Sequence, residues 1–170
     1  MNRTALVERK TAETAIRVEL ALEGGATSAI STPVPFLDHM LELFAFHSGF
    51  TLAVKASGDT EIDDHHTVED LGIALGQPLR QALGDKAGIA RYGFFLMPMD
   101  ETLATVSLDI SGRALYRYSG PEIRGKSGTF DTELVHEFLR AFAANAGLTL
   151  HVLVQYGDNL HHILEAIFKA

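Results

Sequence analysis

Two short stretches of this chain carry side chains that could hold a metal ion, and they share one pattern. His65-His66-Thr67-Val68-Glu69-Asp70 and His161-His162-Ile163-Leu164-Glu165-Ala166 each place a glutamate three residues after a histidine pair. On a helix the glutamate shares a face with the second histidine (i, i+3) and with the first (i, i+4). The adjacent histidines themselves diverge by about one hundred degrees around a helix of 3.6 residues per turn. One ion can therefore take a histidine and the glutamate from a copy, while the other histidine points elsewhere. Two such clusters imply two metal sites, each fed by more than one segment. A single His-His dipeptide is more often a surface or core accident. Two copies at the same offset, in a chain with eight histidines, favour metal binding. Imidazole and carboxylate without thiolate suit zinc, manganese, iron or nickel, so the donor set alone does not choose the ion.

The rest of the composition sets bounds. A chain of 170 residues with 46% apolar content can bury one sizeable core. A formal charge of -8 and no Lys/Arg cluster argue against a nucleic-acid partner. The absence of cysteine excludes disulfides and thiolate chemistry and fits a cytoplasmic location. Residues 1–14 are polar and charged, without the apolar stretch of a signal peptide, and no uncharged apolar run reaches membrane-spanning length.

The elements that must position the histidines follow from periodicity. Thr14, Ile16, Val18, Leu20 and Leu22 alternate with polar residues as in a half-buried strand. Gly24-Gly25 makes a turn, and a short strand around Ala26–Ser31 returns. Pro33 and Pro35 lead into a helix from about Phe36 to Ser48, stopped by Gly49. On it His39, Leu43 and His47 share one face, which adds candidate ligands to what is otherwise an ordinary partly exposed stripe. A strand at Phe50–Lys55 precedes the acidic loop Asp59–Asp64, where Asp63 and Asp64 are placed to hold ring N–H groups of the first histidine pair. The helix opened by His65 runs to about Leu83, before Gly84.

After Gly84 the pattern begins again. Glu13-Thr14-x3-Val18-x-Leu20-x3-Gly24 matches Glu101-Thr102-x3-Val106-x-Leu108-x3-Gly112. Gly49-Phe50-Thr51-Leu52-x-Val54 matches Gly147-Leu148-Thr149-Leu150-x-Val152, and Gly58-Asp59 matches Gly157-Asp158. Internal duplication is the strongest organisational signal, dividing the chain at 1–85 and 86–170. Each half reads strand, strand, helix, strand, helix. Neither half buries a full core alone, so the two pack helix layer to helix layer around a pseudo-twofold as one α+β domain.

Taken together, Phe36-Leu37-Asp38-His39-Met40, Ile62-Asp63-Asp64-His65-His66-Thr67-Val68-Glu69-Asp70, Pro98-Met99-Asp100-Glu101, Ser111-Gly112-Arg113 and the run from His161-His162 to Phe168-Lys169-Ala170 resemble imidazoleglycerol-phosphate dehydratase, a family of histidine biosynthesis. The resemblance covers almost the whole chain. It implies duplicated ferredoxin-like halves, similar to ribosomal protein S5 domain 2, with two four-stranded sheets and the helices between them. It implies subunits assembled as trimers into a particle of twenty-four and two manganese ions per active site. The implied reaction is loss of water from D-erythro-imidazoleglycerol phosphate to give imidazole-acetol phosphate, through a metal-stabilised imidazolate. The implied metal ligands are His39, His65, His66, Glu69, His161, His162 and Glu165. Glu13 is the first candidate for acid/base work and a substrate contact, Glu165 the second; the ligand histidines His39, His65 and His161, with Glu69, also face the substrate. His47, Arg91, Arg113 and Lys169 match substrate-contact positions, the three cations suiting a phosphate by charge.

The chain departs from the family pattern at three places. Leu43 stands where many members carry glutamine. In the second half the ligand position of the third helix falls on Glu137, with His136 one residue earlier as the alternative. Members usually continue past Phe-Lys-Ala with more helix and a Ser-Lys-Gly tail over the phosphate, so on this sequence a weakened site is expected. A two-metal hydrolase and a catalytically silent metal-dependent cage are the competing readings of the same donors.

Overall fold

A computed structural model describes residues 3–170; the expectation of a leaderless N-terminus touches residues 1–2, which lie outside the described residues. The first half runs β1 (Thr4–Lys10), β2 (Thr14–Ala21), β3 (Ser28–Ser31), α1 (Pro35–Ser48), β4 (Thr51–Gly58) and α2 (His65–Leu83). The second runs β5 (Tyr92–Met99), β6 (Thr102–Asp109), β7 (Leu115–Ser119), a small β8 (Lys126–Ser127) and β9 (Phe130–Asp131), α3 (Leu134–Ala146), β10 (Thr149–Tyr156) and α4 (Leu160–Lys169). The two large sheets have the same order, β1-β2-β4-β3 and β5-β6-β10-β7. In each, the last pairing is parallel and the others antiparallel. This is the duplicated α+β fold expected from the repeat.

Alternation dictates which sheet face is covered. Thr14, Ile16, Val18 and Leu20 of β2 are buried, while Ala15, Arg17 and Glu19 between them face outward. Leu150, Val152 and Val154 of β10 do the same for the second sheet. The helices form the middle: α2 packs on β2 and β1, α4 on β6 and β5, and across the centre α2 meets α3 while α1 meets α4. Each central helix pair thus joins one half to the other. Burying Val18, Leu52, Val68 and Leu164, all fully enclosed, stabilises this arrangement by about 1.5–3 kcal/mol per side chain. The α2–α3 crossing is close because Gly72 and Gly76 stand at it; a Cβ on either would lie 2.5 or 2.6 Å from a carbonyl oxygen of α3.

The periodicity reading misses the leading strand of each half. β1 holds only Val7 fully buried and turns Arg9 inward, so its sequence reads as polar. β5 is apolar on both faces and has no alternation to find. The β8–β9 hairpin has no counterpart among the described residues of the first half; it seats Phe130 against Phe36 at the start of α1, ring centroids 5.1 Å apart. No helix among the described residues is long and apolar enough to cross a membrane.

Candidate metal centre and active site

His39 comes from the first turns of α1, which Pro35 starts and Gly49 ends, the glycine in left-handed geometry with its N–H bonded to Phe46 O. His161 and Glu165 come from α4, whose N-terminus is capped by the Asn159 side chain accepting from His161 N–H. The α1–α4 contact brings the three together. His39 Nε2 and His161 Nε2 lie 2.9 and 3.1 Å from the same carboxylate oxygen, Glu165 Oε1. Lys169, one turn further along α4, donates to the other oxygen at 2.5 Å. Burial works to raise the Glu165 carboxyl, but the hydrogen bonds from Lys169, His39 and His161 outweigh it and hold the group at about 2. Glu165 is therefore an ionised, buried carboxylate with two imidazole nitrogens aimed at it.

The second histidine of each pair points away, as the helix geometry requires. The rings of His65 and His66 stand at 88° to one another and those of His161 and His162 at 86°. His66 Nδ1 is bonded to Asp59 at 2.9 Å and His162 Nδ1 to Glu101 at 2.7 Å. A carboxylate on Nδ1 fixes the ring and leaves Nε2 as the outward donor, the arrangement of a metal-binding histidine. The hydrogen bond to Asp59 raises the basicity of His66, and that to Glu101 does so for His162. Glu101 is in turn held at about 2 by His162 and by the Asn159 N–H. The acidic loop does not act as expected at Asp63 and Asp64. Asp63 instead accepts from the His65 backbone N–H at the start of α2, and Asp64 lies near Asp131 and Lys126. The partner is Asp59; in the second half His162 is held by Glu101 and not by Asp158, so the Gly58-Asp59 match between the halves did not point to it.

The first half has the counterpart of the α4 cluster in opened form. His65 Nε2 is 3.8 Å from Glu69 Oε2, and both side chains are nearly half exposed. Glu137 stands at the same distance before Gly147 as His39 before Gly49, and α3 packs on α2 as α1 packs on α4. Here, though, Glu137 is paired with Arg140 at 2.6 Å. An exposed pair of this kind contributes no more than about 1 kcal/mol, so the carboxylate is free to turn. His136 faces the other way, into β7, bonded to Tyr116 Oη at 2.8 Å and lying against the Tyr118 ring. Among the described residues only His39, His161 and Glu165 bring three donors together within 4.8 Å.

The basic residues expected at a phosphate fall into two groups. Arg91 and Arg113 both reach Asp109, at 2.7 and 3.7 Å. Lys169 is engaged by Glu165 and does not join them. His47 and Lys169 line an apolar cavity of about 270 Å³ between the halves, together with Phe44, Phe142 and Leu139. Glu13 occupies the β1–β2 turn, exposed, with no hydrogen bond to its carboxylate among the described residues.

Fold and site define a duplicated α+β protein whose cross-half helix pairs carry matched histidine–carboxylate clusters. The family described as imidazoleglycerol-phosphate dehydratase matches residues 32–170, and the chain belongs to that family of hydro-lyases of histidine biosynthesis. It is 58% identical to the imidazoleglycerol-phosphate dehydratase of Desulforamulus reducens, over 100% of this chain and 87% of that one. Identity to the Pelobacter propionicus protein of the same name is 55%, with the same coverage. Among solved structures, imidazoleglycerol-phosphate dehydratase from Staphylococcus aureus superposes with a TM-score of 0.88 at 46% identity, covering 98% of this chain and 92% of that one.

Proposed function

We propose that the chain dehydrates D-erythro-imidazoleglycerol phosphate to imidazole-acetol phosphate with two manganese ions per active site. The observation that carries the metal is the three-donor cluster of His39, His161 and Glu165. Its donor spacings of 2.9 and 3.1 Å suit neighbouring ligands of one small divalent ion with bonds of about 2.1 Å. A second ion would be held by the counterpart donors His65, Glu69 and Glu137. His66 and His162, fixed through Nδ1, offer outward Nε2 atoms to a neighbouring copy. Bound metal would supply Lewis acidity to the substrate's imidazole ring.

The chain's own residues divide the remaining work. Dehydration removes a proton from one carbon and hydroxide from the next, leaving an enol that becomes the ketone. Glu13 is the proton carrier in this reading, because its carboxylate has no hydrogen-bond partner among the described residues, whereas Glu165 is held ionised by three donors. Arg91 and Arg113, converging on Asp109, are positioned to exchange that carboxylate for a phosphate. The family's chemistry favours this reading over a two-metal hydrolase. The test is turnover of imidazoleglycerol phosphate with added manganese; purified protein inactive on it at every manganese concentration sinks the proposal.

Outward-facing donors also support assembly of trimers into a twenty-four-subunit particle. The outer face of the second sheet adds exposed Phe94, Leu96, Leu115 and Leu153, where the first sheet carries Glu8, Arg17 and Glu19. Chelation should shrink the particle in light scattering and manganese should restore it; unchanged mass after complete metal removal counts against ligation between subunits. For the second site, Glu137→Ala should lower manganese affinity about 10- to 100-fold, with His136→Ala having little effect. The reverse order in a metal titration would transfer the ligand to His136.

A further inference from the structure

The two halves treat their matched glutamates differently, and the difference traces to one aspartate. Glu13 and Glu101 occupy the same place in the repeat, each followed by a buried threonine, Thr14 and Thr102. In the second half Thr102 Oγ1 donates to Glu101 at 3.0 Å, and Glu101 is further tied to His162 and to Asn159 N–H. In the first half Thr14 turns away from Glu13 and donates to Asp70. The residue matching Asp70 in α4 is Ala166, fully buried, whose methyl side chain has no acceptor for a threonine hydroxyl.

Asp70 follows the candidate ligand Glu69 but lies on the buried side of α2. Its Oδ1 accepts from Arg9 Nε at 3.0 Å and Nη2 at 2.7 Å, and its Oδ2 accepts from Thr14. Because the Thr14 proton goes to the carboxylate, the Thr14 oxygen is an acceptor for the Thr11 hydroxyl, 3.2 Å away. Thr11 Oγ1 in turn accepts from the backbone N–H groups of Glu13 at 3.2 Å and Thr14 at 3.0 Å. Thr11 N–H closes the turn onto Thr14 O at 2.9 Å. A directed chain of hydrogen bonds thus runs from α2 to the backbone of Glu13. His66, the matched histidine, is meanwhile taken by Asp59 and not by Glu13.

We infer that Asp70, acting through Thr14 and Thr11, is a positioning residue for Glu13. It diverts the threonine that would otherwise bind the glutamate, and it fixes the turn so that the freed carboxylate keeps one place relative to the histidine-bearing helix. The inference rests on Glu13 being the proton carrier. A carboxylate misplaced by about 1 Å loses on the order of 100-fold in rate, so the network's contribution is to kcat.

The test is the isosteric Thr14→Val in the manganese-loaded protein, with Thr14→Ser, Glu13→Gln and the double variant alongside. Thr14→Val should lower kcat roughly 10- to 100-fold with KM and manganese content unchanged, and Thr14→Ser should restore most of it. Placed in the Glu13→Gln background, Thr14→Val should cost nothing further, because the group it positions is already gone. Thr11→Val breaks the same chain at a half-buried position and decides the matter if Thr14→Val fails to fold. Full kcat in Thr14→Val and Thr11→Val beside an inactive Glu13→Gln overturns the positioning role and leaves the Glu13 reading standing. A further loss in the double variant assigns Thr14 a structural role and overturns it too. A fully active Glu13→Gln removes both.

Discussion

Glu165→Ala is expected to remove manganese and activity together and to lower stability. The carboxylate is the common acceptor for His39, His161 and Lys169. Its deletion leaves the ammonium of Lys169, a side chain only 16% exposed, with the weak Met99 Sδ acceptor and no counter-charge. Breaking a largely buried pair by removing one member costs on the order of 3 kcal/mol. Glu165→Gln separates the two effects. It keeps the volume and one acceptor oxygen, so folding should survive better, while the anionic donor is lost and manganese retention falls with it. Metal analysis and thermal unfolding of both variants are the measurements. Full manganese content in Glu165→Ala would take this residue out of the ligand set. The metal-free wild type adds a pH dependence of known sign. With Glu165 depressed from its ordinary 4.5 to about 2, its contribution is fully present above about 4.5 and is lost as the pH falls toward 2. Glu165→Gln should lack that part of the acid transition.

How much of this was legible in the sequence depends on whether a signal was local. The 65–83 helix, the alternation of β2 and the capping glycines were readable because each rests on spacing within one element. So was the divergence of the histidine pairs, which follows from helix geometry alone. β1 was not, since its inward position 9 is an arginine whose partner Asp70 lies in a different element. Asp59 and Glu101 as histidine partners were equally hidden: both belong to motifs that were noticed, but only the fold turns them toward His66 and His162. Lys169 was read as a phosphate contact from its family position, whereas here its ammonium is engaged one turn back on its own helix.

The largest stability effect lies at the α2–α3 crossing, where Gly76→Leu is expected to prevent folding altogether. A Cβ at Gly76 would sit 2.6 Å from Phe142 O and 2.9 Å from Ala146 N, and one at Gly72 2.5 Å from Phe138 O. These are backbone atoms of the facing helix, so no rotamer change relieves the clash, and the helices must separate. Gly76→Ala weighs two opposing effects. Alanine gains about 1 kcal/mol of helix propensity over glycine. Overpacking against a fixed backbone costs about 1–3 kcal/mol, and contacts at this range put the cost at the upper end. Net destabilisation of roughly 1–2 kcal/mol follows, a fall of several degrees in melting temperature for a chain of this size. Because α2 carries His65 and Glu69 and α3 carries Glu137, separation of the helices also pulls the second set of donors apart. Gly76→Ala should therefore weaken manganese binding at that set while sparing the His39–His161–Glu165 cluster, which is held by α1 and α4. A raised melting temperature in Gly76→Ala, with both manganese ions retained, would mean that propensity outweighs packing and that the two helices do not need the glycine to meet.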